Sequence, residues 1–219
     1  MGVAYQPVQC EMTIALESAL HIGTGLGLGQ LLDEVTVQGP HPEAGDIDVP
    51  YIPGASLKGR LRHHARHLSH VLLADARERD CAEAHLFGFD SRAGGLIFAD
   101  AHLPVGLARD LKADPAVLTL LARGERSFVS LSRRRRVALE DRLFRIDLAE
   151  HGLSFTTTVR GHLPAESAAR DLGLLLAAAC DLTHLGGHKA RGLGKCRIDI
   201  GAVTLNGEPL DWPKLVEKL

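Results

Sequence analysis

Three short segments of the sequence carry positive charge without any acidic residue. They run from Ser56 to His70, from Arg133 to Arg136 and from Gly186 to Arg197. These 31 residues contain 12 of the 25 lysines and arginines, whereas the rest of the chain has 13 basic and 27 acidic residues. Such side chains neutralise phosphates, so a fold that gathers them would form a nucleic-acid interface on an acidic body. Any one segment could equally be a solvated face.

The spacing of three histidines suggests a second kind of chemistry. His63, His67 and His70 follow the helical pattern i, i+4, i+7, which can bring imidazoles together around a metal ion. The cluster contains no carboxylate or thiolate, and the neighbouring cations would repel a divalent ion. We therefore expect these histidines to be solvated, weakly basic side chains rather than metal ligands.

Common nucleotide-binding and hydrolase motifs are absent from the sequence. The glycines from Gly23 to Gly29 do not match G-x-G-x-x-G, and the segment after Gly187 lacks the Lys-Ser/Thr of a P-loop. The patterns G-x-S-x-G, H-E-x-x-H and H-x-E with P-C-x-x-C do not occur. These absences argue against nucleotide sites and the commonest hydrolases and deaminases, and we expect no organic cofactor.

The composition indicates an ordinary globular protein. The 219 residues have a formal charge of −2 and are 45% hydrophobic. The four cysteines are far apart and form no C-x-x-C pair, which favours a reducing, cytoplasmic setting. The apolar stretch from Leu172 to Cys180 is about half of a bilayer span, and the N-terminal residues lack a signal-peptide pattern. We expect no membrane partner.

A small set of strands and helices must position the charged segments. Val8 to Glu17 alternates apolar and polar residues like a half-buried strand, and Pro53-Gly54 opens a helix with a buried leucine stripe. Ala165 to Thr183 has the pattern of a buried helix, and Cys196 to Ile200 that of a final strand. Further strands are predicted at 96–103, 126–131, 137–139, 144–148 and 153–163. A loop is predicted at 40–53, with a short extended piece near 48–52.

This order of elements predicts an α+β fold with a ferredoxin-like (RRM-like) βαββαβ core and inserted loops. We expect one domain over residues 1–219, with its core at about 8–103 and 153–204 and an inserted hairpin region at about 104–152. Gly59 lies inside the first predicted helix, where glycine costs about 1 kcal/mol relative to alanine. We therefore expect something to approach the helix backbone at this position.

Three segments together resemble the RAMP (repeat-associated mysterious protein) superfamily of CRISPR systems. They are Leu20-His-Ile-Gly-Thr-Gly25, Pro50-Tyr-Ile-Pro-Gly-Ala-Ser-Leu-Lys-Gly-Arg-Leu-Arg62 and Leu185-Gly-Gly-His-Lys-Ala-Arg-Gly-Leu-Gly-Lys195. The central residues His85-Leu-Phe-Gly88 and Gly95-Leu-Ile-Phe-Ala-Asp100 are similar to the same family. Within it, the chain resembles the repeating backbone subunit of type III effector complexes, which holds the guide RNA and often cuts the paired target RNA. The implied partners are guide RNA, target RNA, copies of the chain itself and other effector subunits.

The resemblance implies RNA contacts at the start of the first helix and in the glycine-rich segment. A helix start offers cations and backbone amides to phosphates, and glycines let RNA approach the backbone. A plain turn is the alternative for the glycine-rich segment. The implied RNA-binding residues are Ser56, Lys58, Arg60, Arg62, Gly187, His188, Lys189, Arg191 and Lys195, together with Arg134 and Arg136 from the arginine run.

Asp33 falls where the resembled subunits carry the aspartate needed for target cleavage. The resemblance implies attack of the 2′-hydroxyl on the adjacent phosphate, with Mg²⁺ or another divalent ion as cofactor and Asp33 as base or metal ligand. His21 is a second catalytic candidate, as a proton carrier or a phosphate contact. Leu32-Asp-Glu-Val35 departs from the family's usual pattern, so Asp33 could be an ordinary loop residue and Glu34 could take its place.

Two other functions stay open at this point. The chain could be a purely structural subunit that binds guide RNA without chemistry, or a repeat-processing endoribonuclease with His21 and Lys189 as its acid–base pair. The resemblance also implies a thumb-like hairpin in the central region. Only Glu140-Asp-Arg142 separates the predicted strands there, so we expect a short projection with its turn at these residues.

Overall fold

The computed structural model describes residues 3–25, 34–122, 124–132 and 134–219. Asp33, Arg133 and residues 26–29 of the predicted glycine loop therefore lie outside the described residues. In chain order the elements are β1 (Tyr5–Leu16), β2 (Gln38–His41), β3 (Gly45–Pro50), α1 (Gly54–Leu72), α2 (Ala76–Phe87), β4 (Gly88–Phe89), β5 (Arg92–Ala93), β6 (Leu96–Phe98), α3 (Val105–Ala113), α4 (Pro115–Ala122), β7 (Gly124–Leu131), β8 (Ala138–Leu148), β9 (Ser154–Pro164), α5 (Ala168–Asp181), β10 (Cys196–Leu205), β11 (Glu208–Pro209) and α6 (Trp212–Val216).

The main sheet has the strand order β11-β10-β1-β9-β6, and all neighbouring strands are antiparallel. Leaving out the short β11, the strands β1, β6, β9 and β10 take the spatial order 4-1-3-2 when numbered along the chain. Helix α1 lies in the connection from β1 to β6, and α5 in the connection from β9 to β10. This arrangement is the ferredoxin-like βαββαβ core, so the predicted α+β fold is confirmed.

The core follows from the alternating pattern of β1. Its apolar residues at even positions, from Val8 to Leu16, are buried on one face, where α1 and α5 pack. Gln9 and Glu11 point to the other face. A slip of one residue in register would place the polar set in the core, so burial fixes the pairing of β1 with β9 and β10. The proposed domain boundaries stay a prediction.

Helix α1 begins at Gly54 because no other residue fits there. A Cβ at this position would lie 2.0 Å from the Phe98 carbonyl oxygen, and the Gly54 N–H donates to Asp100 Oδ1 at 2.7 Å. The amides of Ser56 and Leu57 both donate to the Pro53 carbonyl. The helix start is thus anchored to the end of β6, and most of its first amides already have partners within the chain.

The hairpin of β7 and β8 corrects the predicted position of the central turn. Residues 140–142 lie inside β8, and the chain reverses at residues 132–137 instead. Ser132 closes this turn, because its Oγ accepts from the Arg135 N–H at 3.2 Å and its carbonyl from the Arg136 N–H at 2.7 Å. The hairpin is therefore longer than expected and carries residues 134–136 of the arginine run at its tip.

Several elements were not predicted from the sequence. Part of the predicted loop at 40–53 is the hairpin of β2 and β3, and helices α2, α3 and α4 lie where no element was expected. The predicted strand at 96–103 is regular only at Leu96–Phe98 and continues as isolated bridges to Ile52 and Thr156. Within the described ranges, every helix is too short or too polar to cross a membrane.

Candidate nucleic-acid interface

The first and third charged segments meet where α1 lies beside the glycine-rich loop. Burial lowers the pKa of Lys189 below its usual range, and the nearby charge of Arg60 lowers it further. Burial also lowers the pKa of His63, with added repulsion from His67, Arg60, His64 and Lys189. Arg60 and Lys189, two like charges from distant segments of the sequence, are thus near enough in the fold to act on each other electrostatically. Such a pair favours the binding of an anion between its members.

Arg60 has an unused donor at this surface. Its Nη2 lies 3.3 Å from His64 Nε2, and His64 Nδ1 lies 2.6 Å from Asp181 Oδ2. The Arg60 Nε is buried and has no hydrogen-bond partner among the described residues. Buried guanidinium donors are normally satisfied, so an acceptor from outside the chain would satisfy this N–H once the side chain moves to expose it.

Lys58 and Ser56 flank the same helix start. The Lys58 ammonium lies 5.8 Å from the centroid of the Phe98 ring, which holds the side chain over β6. Ser56 is half-buried beside it. Because the Gly54, Ser56 and Leu57 amides are bonded within the chain, side chains rather than backbone amides are what α1 offers a phosphate. The prediction that backbone amides at this helix start are free was therefore wrong for Gly54, Ser56 and Leu57.

Four other cations of the two segments have carboxylate partners. Glu83 of α2 accepts from Arg62 Nε at 2.7 Å and from Arg66 through both of its oxygens. Lys195 Nζ lies 2.8 Å from Glu17 Oε2, and Arg197 pairs with Asp199. Acid-free segments of the sequence are thus partly neutralised in space by acids that lie outside them, on α2, after β1 and later in β10. Arg62 and Lys195 stay predicted RNA contacts that would have to exchange these partners for phosphates.

The cations without such partners form a smaller set. Within the described ranges, Lys58, Arg60, Lys189 and Arg191 have no carboxylate oxygen within 4.0 Å. They come from the helix start and the glycine-rich loop. Arg134 and Arg136 lie apart from them, exposed on the tip of the β7–β8 hairpin.

The glycine-rich loop is shaped by contacts within the chain. Gly186 has φ +73°, and a Cβ there would lie 2.2 Å from the His21 carbonyl oxygen. Gly194 has φ +79°, and a Cβ there would lie 1.9 Å from the Leu185 carbonyl oxygen. Gly187 donates its N–H to the His21 carbonyl at 2.8 Å. Gly186 and Gly194 are therefore explained by the chain's own packing, without RNA.

The loop also brings His188 to His21 and Glu34. Glu34 Oε2 lies 3.1 Å from His21 Nε2 and 2.9 Å from His188 Nε2. The hydrogen bond from His188 holds the pKa of Glu34 below its usual range, with burial acting in the opposite direction. His188, predicted to contact RNA, thus has an acidic partner, and Glu34 occupies the centre of this His–Glu–His cluster.

The orientation of His21 follows from its inner neighbours. The ring is 2% exposed, and its Nδ1 lies 2.8 Å from the Asp147 carbonyl oxygen and 3.0 Å from Thr36 Oγ1. A carbonyl only accepts, so Nδ1 carries the hydrogen and Nε2 faces Glu34. This burial leaves His21 little access to an RNA phosphate and agrees better with the predicted role in proton transfer or with metal binding.

Aromatic side chains of the hairpin support the outer side of the cluster. His188 stacks on Phe128 with ring centroids 6.2 Å apart, and Phe128 stacks on Phe144 across the hairpin at 5.7 Å. The Arg191 guanidinium lies over both phenylalanine rings, 5.0 and 4.7 Å from their centroids. A small core of Ala19, Ile146, Leu148 and Leu193 packs against these rings. Hairpin and loop therefore form one support for His188 and Arg191.

The donor set does not fit Mg²⁺, the first cofactor that the resemblance implies. Mg²⁺ prefers a shell of oxygen atoms, whereas the described residues supply two imidazole nitrogens and one carboxylate. Such a mixed set suits a borderline transition metal. The histidines first considered as ligands behave differently, since His63 and His67 pack edge to face with centroids 4.5 Å apart.

The sequence predicted functional roles for His21 and His188. It did not identify Glu34, which contacts both, as the centre of a site. Glu34 was considered only as a substitute for Asp33, which lies outside the described residues. Thr36, Asp147, Phe128 and Phe144 gave no signal, because their role depends on β8 running back beside residues 34–37. The glycines of this loop were interpreted as an opening for RNA or as a plain turn, whereas Gly186 and Gly194 pack against carbonyls of the chain itself.

Comparison with known proteins adds an independent line of support. The family model described as "RAMPs: RAMP superfamily" matches residues 13–197. A solved structure titled "Type III-B Cmr-beta Cryo-EM structure of the Apo state" is similar with a TM-score of 0.58 and 14% identity, over 88% of this chain and 96% of that chain. A second, of Type III-B Cmr-beta bound to cognate target RNA, has a TM-score of 0.57 and 14% identity over the same shares. No curated protein matches the sequence. Because the family match covers most of its length, the chain belongs to the RAMP superfamily.

Proposed function

We propose that the chain is a guide-RNA-binding backbone subunit of a type III CRISPR ribonucleoprotein. Membership of the RAMP superfamily supports this proposal, as do the titles of the similar structures, which name a Type III-B Cmr-beta complex in an apo state and with cognate target RNA. Its partners would be guide RNA, target RNA, further copies of the chain and other effector subunits. The cytoplasmic location expected from the cysteines stays a prediction.

The observation that carries the proposal is the pairing of Arg60 with Lys189. Arg60 lies near enough to Lys189 to lower the pKa of its ammonium group, neither cation has a carboxylate partner among the described residues, and the Arg60 Nε has no hydrogen-bond partner there. Charge repulsion and an unsatisfied buried donor both cost free energy in the absence of an anion. A phosphate of the guide RNA would remove both costs.

Salt-dependent binding tests this assignment. Single-stranded RNA derived from the CRISPR repeat is titrated with the full chain at several salt concentrations, using wild type, the double variant Arg60→Ala/Lys189→Ala and Arg66→Ala. The double variant should reduce the slope of log K against log salt by about 0.7 for each phosphate that it no longer neutralises. Arg66→Ala should leave the slope unchanged because Glu83 already neutralises it. Equal slopes for wild type and the double variant would contradict the proposed contact.

We further propose that the assembled complex cuts the paired target RNA beside this surface, with Asp33 as its catalytic carboxylate. The specific support is the His21–Glu34 pair, since Glu34 is covalently adjacent to Asp33 and His21 Nε2 lies 3.1 Å from its carboxylate. An imidazole held in one tautomer next to a carboxylate can accept a proton, and because His21 is buried, the proton of a 2′-hydroxyl would reach it through the more exposed Glu34. The resemblance implies a divalent ion as well, and its identity is taken up below.

Reconstituted complexes distinguish the catalytic from the structural role. Asp33→Ala, Glu34→Gln and wild type are each assembled with guide RNA and given complementary target RNA with Mg²⁺ or Mn²⁺. We expect Asp33→Ala to bind target RNA normally and to lose cleavage. Cleavage at the wild-type rate would remove Asp33 from the mechanism, and a wild-type complex that binds without cutting would favour a purely structural subunit.

The repeat-processing alternative has little geometric support. It requires His21 and Lys189 as an acid–base pair, but His21 is buried against Glu34, and Lys189 is placed near Arg60. Incubation of the isolated chain with repeat RNA is the direct test, and specific cleavage there would revive this alternative.

A further inference from the structure

The His–Glu–His cluster has the composition and spacing of a metal centre. Among the described residues, His21, Glu34 and His188 offer ligand atoms that all lie within 4.8 Å of one another. We propose that these three residues bind a transition metal ion of the Zn²⁺ type in preference to Mg²⁺. The proposal concerns metal binding alone and stands whether or not the chain cuts RNA.

His21 is arranged as a metal-binding histidine. Its Nδ1–H donates to the Asp147 carbonyl at 2.8 Å, so the neutral ring has its lone pair on Nε2. A backbone carbonyl in this position orients many histidine ligands and increases their basicity. Nε2 is buried and has no hydrogen-bond partner among the described residues, although Glu34 Oε2 lies 3.1 Å away. A neutral ring whose lone pair faces a carboxylate at this distance is repelled by it, and either a proton on Nε2 or a bound metal cation removes that repulsion.

Glu34 and His188 supply the remaining ligands from two different loops. Glu34 is fixed by the backbone, because its carbonyl accepts from the Asp147 N–H at 3.0 Å. His188 has φ +53° and stacks on Phe128, which aims Nε2 at Glu34. Ligands 2.9 and 3.1 Å from a shared oxygen need to separate by only a few tenths of an ångström to surround an ion with bonds of about 2.1 Å.

Binding requires one local change at His188. Arg191 Nη1 lies 3.2 Å from His188 Nδ1, and a guanidinium only donates, so Nδ1 holds the lone pair and Nε2 the hydrogen in the metal-free chain. Metal binding moves the hydrogen to Nδ1 and turns Arg191 away from it. The contacts of Arg191 with Phe128 and Phe144 do not involve the His188 nitrogen, so the guanidinium keeps partners other than His188.

The ligand types select the metal. Two imidazoles and one carboxylate are a common set for Zn²⁺, which takes four ligands and leaves one position for water or a substrate oxygen. Mg²⁺ demands six oxygen ligands in an octahedron and finds one carboxylate here among the described residues. Because Gly23 has no side chain, space stays open beside His21 Nε2. A Cβ at position 23 would lie 3.1 Å from that nitrogen and crowd it.

Metal titration of the purified full chain tests the proposal. Zn²⁺ binding is measured by calorimetry and Co²⁺ binding by its visible absorption, for wild type, Glu34→Gln, His188→Gln and the control His184→Gln, which lies near the same loop outside the cluster. We expect tetrahedral Co²⁺ absorption and equimolar Zn²⁺ binding in wild type and the control, and affinity at least about tenfold weaker in the two ligand variants. Mg²⁺ at millimolar concentration should not displace Zn²⁺.

Two results would overturn this assignment. Wild-type affinity in Glu34→Gln or His188→Gln would place the metal elsewhere, and loss of binding in His63→Gln would assign it to the histidines of α1. Thermal melting of each variant without metal controls for folding. Glu34 is 45% exposed, so its amide variant is expected to fold like wild type.

Discussion

Glu83 lies on α2 opposite Arg62 and Arg66, and its carboxylate accepts hydrogen bonds from both guanidinium groups. These bonds, led by the one from Arg66, hold the pKa of Glu83 below its usual range, although burial opposes them. Two cations of a segment that lacks acids in the sequence are thereby used to join two helices. At the scale of single residues, the partner in space decides whether a basic side chain is available to RNA.

Glu83→Gln should lower the free energy of unfolding by about 1 kcal/mol at pH 7, because a partly exposed ion pair is screened by solvent. A carboxyl whose folded pKa is lowered contributes stability above its unfolded pKa of about 4.3 and loses it as the pH falls through the folded value. The difference between wild type and variant should therefore shrink below about pH 4.

Urea unfolding at pH 7 and pH 3 measures this effect, with Glu166→Gln as the control for removal of an exposed carboxylate. Glu166 has no ion pair among the described residues. A Glu83→Gln difference that persists at pH 3 would show that the bonds to arginine are not its cause.

Asp171 is a second residue whose role depends on its partners. It is 0% exposed in α5, and its oxygens contact His85 Nδ1 at 2.7 Å, Ser167 Oγ at 2.8 Å and Arg170 at 3.0 Å. Asp171→Ala should lower the free energy of unfolding by about 2–3 kcal/mol, because it leaves several donors without their acceptor. Thermal or urea unfolding measures this decrease, and a change below about 0.5 kcal/mol would contradict it.

At the scale of an element, α1 contains two glycines in different surroundings, one with no room for a side chain and one in open space. A Cβ at Gly54 would meet the Phe98 carbonyl at 2.0 Å, whereas a Cβ at Gly59 would have nothing within 4 Å. The sequence suggested a close approach to the backbone at Gly59, and within the described chain nothing approaches it. Contact with RNA at this position stays a prediction.

The same substitution at these two positions is a matched test. Gly54→Ala should destabilise the chain by roughly 1–3 kcal/mol through overlap with β6, whereas Gly59→Ala should stabilise it by about 1 kcal/mol as a better helix former. If RNA lies against Gly59, the second variant will also bind RNA more weakly despite its greater stability. Melting temperatures and RNA affinity of both variants separate these effects, and unchanged affinity in Gly59→Ala would exclude a close RNA contact there.

At the scale of the whole molecule, the net charge of −2 conceals two kinds of cation, those with a carboxylate partner and those without one. Of the cations in the acid-free segments, Lys58, Arg60, Lys189 and Arg191 lack carboxylate partners among the described residues, and Arg134 and Arg136 stand at the tip of the hairpin. Strands β7 and β8 form a two-stranded sheet of their own, with exposed apolar residues along its length. The hairpin also contacts the set of unpaired cations, because Arg191 lies over its Phe128 and Phe144 rings.

Replacing Arg134 and Arg136 by serine should leave the melting temperature within a few degrees of wild type, because both side chains are exposed. If the tip contacts RNA in the assembled complex, the variant should bind target RNA more weakly and with a smaller salt slope, by about 0.7–0.9 for each phosphate that is no longer neutralised. Filter binding of reconstituted complexes at several salt concentrations measures this, with Arg109→Ser on α3 as a control. Identical slopes would assign the arginines to solubility alone.

The sequence by itself determined the sheet core, the two main helices and the segments that carry the cations. Alternating burial and helical leucine stripes are local periodicities, so they can be read without knowing which elements meet. Helix α2 was not predicted because the helical spacing of its apolar residues is weak, even though Asp75 caps it by accepting from the Arg77 N–H at 2.9 Å. The hairpin turn was misplaced because Arg136 closes it at φ +56°, a conformation that arginine rarely adopts.

Only the tertiary structure decided which of the charged residues can act together. Glu34 reaches His188 across 154 positions of the sequence, and Glu83 reaches Arg62 across 21. No local pattern contains such pairs, because a carboxylate is drawn to whichever cation the fold places within a few ångströms. The sequence therefore supplied the charges, and the packing of β8, α2 and the glycine-rich loop determined which of them pair with one another and which lack a carboxylate partner in the part of the chain that the structure describes.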